Sequence, residues 1–81
     1  MVKAKVETIE NRLKNIVITG DFFAYPEDLI ENIENSLLGS IVEFDKIRKK
    51  IESIIELKNA TLLGVKSEHL AEVIVNATEE N

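Results

Sequence analysis

The chain has no cysteine among its 81 residues, which excludes a disulfide framework, a thiolate nucleophile and any cysteine-based zinc site. A reducing compartment is its natural setting. Glycine is sparse, and Gly20, Gly39 and Gly64 stand far apart, whereas a phosphate-cradling loop needs several glycines and a lysine close together. The one histidine, His69, has no serine motif or cysteine to activate and lies beside the apolar face of its helix, as a solvated side chain would. Long hydrophobic runs are missing too. Lys3 and Lys5 interrupt the N-terminal stretch, unlike a signal peptide or a membrane span. A cytoplasmic protein with no membrane partner is expected. Basic residues are outnumbered, ten against fifteen acidic, for a net charge of −5. That balance disfavours both nucleic acid and anionic membranes, which attract basic faces. From Asp21 to Asp45 there are seven acidic residues and no Lys or Arg, so one surface is expected to be acidic.

What remains is 44% hydrophobic and 31% charged, the composition of a globular chain. The length suits one domain over residues 1–81, near the lower size at which an apolar core suffices alone. Lys3 to Ile9 alternates with period two, placing Ala4, Val6 and Thr8 on one side and Lys5 and Glu7 on the other. A polar turn at Glu10, Asn11 and Arg12 leads to a second strand, Leu13 to Thr19, and the two predict an antiparallel hairpin. Ile16, Val17 and Ile18 run consecutively, so the second strand has apolar side chains on both faces. It is either the central strand of a small sheet or a strand covered by a partner.

Pro26 fits the first turn of a helix, with Glu27 and Asp28 at the positive end of its dipole. Leu29, Ile30, Ile33, Leu37 and Leu38 form its apolar stripe, and Gly39 ends it. A second helix begins near Glu43 or Asp45 and ends near Leu57, with Phe44, Ile47, Ile51, Ile54 and Ile55 inward. Leu62-Leu63-Gly64-Val65 reads as a loop or a third strand. Ser67 is a candidate N-cap for a last helix presenting Leu70, Val73, Ile74 and Ala77 on one face, and Thr78 to Asn81 is expected to fray. The predicted class is α+β: an antiparallel hairpin or small three-stranded sheet packed against about three helices.

Charged clusters have bland explanations. Glu27, Glu31 and Glu34 share one helix face, which a hard cation could use, but no histidine or carbonyl-rich loop completes the set, and a solvated face or a match to a basic partner accounts for them. Lys46, Arg48, Lys49 and Lys50 are largely balanced by the spacings Asp45 to Lys49 and Arg48 to Glu52. The informative stretch is Gly20 to Pro26, GDFFAYP, which holds three of the four aromatic residues. Adjacent side chains diverge, so Phe22 and Phe23 cannot both point into one core unless the backbone bends. Gly20 would permit that bend and Asp21 could cap the N–H groups it frees. The segment is either a structural corner or an aromatic docking anchor, and one ring can do each job. The candidate partner-binding residues are Gly20, Asp21, Phe22, Phe23 and Tyr25; no catalytic or metal-binding residue is identified.

KNIVITGDFF, at Lys14 to Phe23, followed by PEDLIENIENSLLG, at Pro26 to Gly39, resembles the C-terminal accessory domain of lipoate–protein ligases. The likeness runs over nearly the whole chain. It implies a noncatalytic subunit that docks on a larger catalytic subunit, which activates lipoate with ATP to lipoyl-AMP and transfers the lipoyl group to a lysine of an acceptor domain. No autonomous catalysis and no bound cofactor are expected of this chain by itself; the complex would use ATP, Mg and lipoate. With Met1 directly before the first strand and nothing like the catalytic domain present, the chain resembles the separately encoded form or an excised domain.

Overall fold

The computed structural model describes residues 1–79. Two long strands, β1 (Val2–Ile9) and β2 (Arg12–Gly20), pair antiparallel as a hairpin. Glu10 and Asn11 form its loop with φ of 52° and 63°, the two successive left-handed residues that match a tight turn to the strand twist. Arg12 is therefore already in the strand. Val6 faces Ile16 and Ala4 faces Ile18 on the inner side, while Val17 on the outer side is 52% exposed. The first expectation for β2 does not hold, since the hairpin is a separate two-stranded sheet and β2 is not central; among the described residues nothing covers its outer face at Val17, which leaves that face open to a partner.

The register slips at Glu7 and Thr8, where Glu7 opposes Asn15 but Thr8 opposes Leu13. Lys14 is the extra residue of a bulge, which resets the alternation. Leu13 thereby joins Ile16 and Ile18 on the inner face, where all three are buried.

Helix α1 (Leu29–Leu37) packs over β2, α3 (Ser67–Glu79) over β1, and α2 (Phe44–Leu57) lies between α1 and α3, touching both. The core is what the hairpin and the three helices enclose. Leu13, Leu29, Ile33, Leu37, Ile47, Ile51, Leu70 and Ile74 are almost wholly shielded from solvent. Their i, i+4 spacing on α1 and α2 gives each helix one apolar stripe. Leu38 has passed the end of α1 and is exposed, while Phe44 lies on the α2 stripe but at the first residue of that helix and is 37% exposed.

Two further expectations are corrected at helix ends. Pro26 follows a cis peptide bond and precedes α1; its carbonyl accepts from Leu29 N at 2.9 Å, closing a turn before the helix starts. Ser67 is the first residue of α3, and its hydroxyl donates to Glu52 at 3.0 Å, bracing α3 against α2. The last helix runs on through Thr78 and Glu79, and Glu80 and Asn81 lie outside the described residues.

The link between α1 and α2 is sewn to the hairpin. Leu13 N donates to Ser40 O at 2.9 Å and Gly39 N to Leu13 O at 2.7 Å, while the Arg12 guanidinium reaches Gly39 O at 2.9 Å. Ser40 is buried, and its hydroxyl accepts from Lys50 at 2.7 Å. Gly39, with φ of 84°, supplies the left-handed step after the helix that aims the chain at β2. Farther along the same strand edge, Ile18 N donates to a Glu34 carboxylate oxygen at 2.7 Å. A helix side chain thus takes the place of a neighbouring strand's carbonyl. Among the described residues no helix is long and apolar enough to cross a membrane.

Two substitutions test this account. Ile33→Ala should lower unfolding free energy by about 2–5 kcal/mol in urea titrations, as expected for an enclosed aliphatic, while Val17→Ala on the open face should cost under ~1 kcal/mol. Glu34→Ala should cost about 1–2 kcal/mol through the orphaned Ile18 N–H, and Glu34→Gln, which keeps an acceptor, less.

Candidate docking site

The GDFF segment leads out of the hairpin into a second small sheet, β3 (Phe23–Tyr25) paired antiparallel with β4 (Thr61–Leu63). The Leu62-Leu63 stretch is thus a strand, but it joins residues 23–25 and not the hairpin. The expected third strand belongs to a sheet of its own. Pairing places Phe23 opposite Leu63, Ala24 opposite Leu62 and Tyr25 opposite Thr61. Strand alternation then sorts the side chains: Ala24 and Leu62 pack toward the core, while Phe23, Tyr25 and Leu63 face out, 55%, 60% and 58% exposed.

The two phenylalanines take separate places. Phe22, just before β3, is half-buried and packs against the core cluster. Phe23 is directed to solvent. The corner works through close backbone approach at two glycines. A Cβ on Gly20 would stand 2.5 Å from Met1 O and 2.9 Å from Val2 Cα, distances no side chain tolerates. Gly64, with φ of 91°, turns the chain out of β4 so closely that a Cβ would meet Phe22 Cα at 3.3 Å. In the sequence, the signal for this turn is the place of Gly64 directly after the short apolar run Leu62-Leu63.

Asp21 does not cap the corner. Its backbone N–H donates to Met1 O at 3.1 Å, and its carboxylate, almost fully exposed, stands 3.8 Å from the N-terminal ammonium. Of the five candidate residues, Phe23 and Tyr25 share the outward face, Phe22 supports it from behind, and Gly20 and Asp21 shape the approach. Leu63 completes the face and was not among them, since its partnership with Phe23 depends on a pairing across two intervening helices.

An exposed cluster of two aromatics and a leucine is costly to a small domain. Each such side chain gains about 1.5–3 kcal/mol when fully covered. Close to it in sequence, Asp21, Glu27, Asp28 and Glu31 are exposed carboxylates. An apolar centre with a charged rim is the anatomy of a protein interface. Beside Leu63 lies a shallow depression of ≈ 560 Å³ whose lining includes Val65, Lys66 and His69; His69 is exposed, as expected of a solvated side chain.

The other charged clusters are engaged within the fold. Arg48 pairs with Glu52 at 3.0 Å and Asp45 at 3.9 Å, and Lys46 with Glu43 at 3.8 Å. Asp45 therefore meets Arg48 and not Lys49. On α1, Glu34 is withdrawn from the acidic face by its bond to Ile18. No group of three or more potential ligands that could hold a metal ion occurs among the described residues.

Comparison with known proteins agrees with the resemblance in the hairpin and acidic helix. Residues 1–74 match the model of the bacterial lipoate protein ligase C-terminus family. Lipoate-protein ligase A subunit 2 of Thermoplasma acidophilum is 42% identical over 43 residues, covering 53% of this chain and 46% of that protein. The match thus spans about half the length of that relative. A chain in the solved structure of an archaeal lipoylation system, a bi-partite lipoate protein ligase and its E2 lipoyl domain from the same organism, superposes with a TM-score of 0.78 at 32% identity. That superposition covers 90% of this chain and 80% of the other. With hairpin, corner and acidic helix all inside the matched region, this chain belongs to the bacterial lipoate protein ligase C-terminus family.

Proposed function

We infer that this chain is a noncatalytic accessory subunit that docks on the catalytic subunit of a lipoate–protein ligase and supports ATP-dependent adenylation of lipoate in protein lipoylation. The carrying observation is the outward face of Phe23, Tyr25 and Leu63, in a chain similar to subunit 2 of a bi-partite ligase. Catalysis, with ATP, Mg and lipoate, belongs to the partner in this reading.

The physical role is one of placement. Covering the Phe23 face gives the two subunits a fixed register, and the acidic rim of Asp21, Glu27, Asp28 and Glu31 steers a basic partner surface toward it. Docked there, the accessory subunit closes or orders the partner's adenylate site and excludes water from it. This is a subunit whose contribution is geometric, since a reactive acyl-adenylate survives only where water is kept away.

Pyrophosphate release from ATP and lipoate should rise at least about tenfold when the chain is added to the catalytic subunit; equal rates with and without it would sink the adenylation role. The two phenylalanines should separate cleanly. Phe23→Ala should leave the melting temperature nearly unchanged while weakening the complex by about 2 kcal/mol in calorimetric titration. Phe22→Ala should instead lower folding stability by about 2–3 kcal/mol. A pulldown that recovers no adenylate-forming protein would favour a free-standing interaction domain of the same fold.

A further inference from the structure

The outer face of the hairpin carries a second surface, separate from the Phe23 face. Lys3 and Lys5 of β1 project there, opposite Thr19 and Val17 of β2, and α3 forms one wall with Val73, Asn76 and Ala77. Two adjoining hollows of ≈ 610 and ≈ 630 Å³ share Lys5, Val17 and Ala77 and together run along β1 from Lys3 to Glu7.

Three features of this groove define an occupant. Its floor is apolar, with Val17 52% exposed. One end is positive: neither Lys3 nor Lys5 has an ion-pair partner among the described residues, in a chain of net charge −5. The other end is negative, where Glu7 is held in place by Asn15 Nδ2 at 2.8 Å.

Spacing narrows the choice. Lys3 and Lys5 lie on one side of a strand, so their stems repeat at about 6.6 Å, the repeat of alternate side chains in another extended chain. From Lys3 to Glu7 the groove runs about 13 Å, the length of four to five extended residues. A polyanion such as nucleic acid would meet Glu7 with like charge and leave the apolar floor unused.

The geometry points to a docking groove for an extended acidic segment of a protein partner, with carboxylates at alternate positions on Lys3 and Lys5. The methylene stems of those same acidic side chains rest on Val17 against Ala77, and a basic or neutral residue lies at Glu7. The opposed charges at the two ends fix the direction in which the segment lies.

The test is an amide-resolved NMR titration of the full chain at low ionic strength. The probe is a short blocked peptide that alternates glutamate with valine and ends in lysine. Shifts should concentrate at Lys3, Lys5, Val17 and Val73 with a Kd of about 1 mM, and should weaken as salt screens the lysines. Lys3→Glu with Lys5→Glu should weaken binding by at least about tenfold. Should that double variant lose its dispersed spectrum, Lys3→Gln with Lys5→Gln should weaken it in the same direction. A peptide with lysine in place of glutamate should not bind. The assignment is overturned if those residues do not shift, if binding survives in the folded charge variants, or if duplex DNA shifts the same residues at equal or lower concentration.

Discussion

Everything in this molecule depends on covering the inner face of one two-stranded hairpin. Two strands alone are marginal in water, and the inner residues Val6, Leu13, Ile16 and Ile18 have no second sheet to meet. The three helices supply that cover, α1 from the β2 side, α3 from the β1 side, and α2 filling the space between them. The hydrogen bonds at the α1–α2 link and at Glu34 keep this lid in register. They also satisfy part of the outer edge of β2, which would otherwise be a template for another strand.

The corner at Gly20 to Tyr25 shows how a local conflict becomes a surface. Two adjacent phenylalanines cannot share one direction. The chain gives Phe22 to the core and Phe23 to solvent, and β4 adds Leu63 beside it. A fold selected only for stability would have little reason to keep the second ring outside. In the proposed docking, its exposure is that of a face the partner would cover.

Much of this was legible in the residues. Period-two alternation in Lys3 to Ile9 and the 3.6 period of Leu29, Ile33 and Leu37 are local patterns with large energetic consequences, and both elements stand where those patterns put them. The misses share a cause. The bulge at Lys14 shows itself only when Leu13 is compared with the partner strand, and the Phe23–Leu63 pair only when two distant segments are aligned. Pro26 obeyed the tertiary turn in place of its local preference for a helix start. Glu34 looked like one carboxylate in a solvated row, because nothing along the chain reveals an unpaired N–H lying across from it. Local propensity names the elements, whereas the site is made of relations between them. The resemblance in the corner and its neighbours named the family, but not which ring faced outward.

The two halves of the aromatic face lie on either side of α1 and α2 in the chain. Phe23 comes early, and Leu63 arrives only after both helices have been made and folded back, so that β4 can reach β3. No nascent fragment ending before β4 can present the finished surface, and local unfolding of either helix would pull it apart. In the proposed docking, a partner that reads this face would read the completeness of the whole domain. Recognition and quality control would then be one event, performed by three side chains that stand more than half exposed on the free domain.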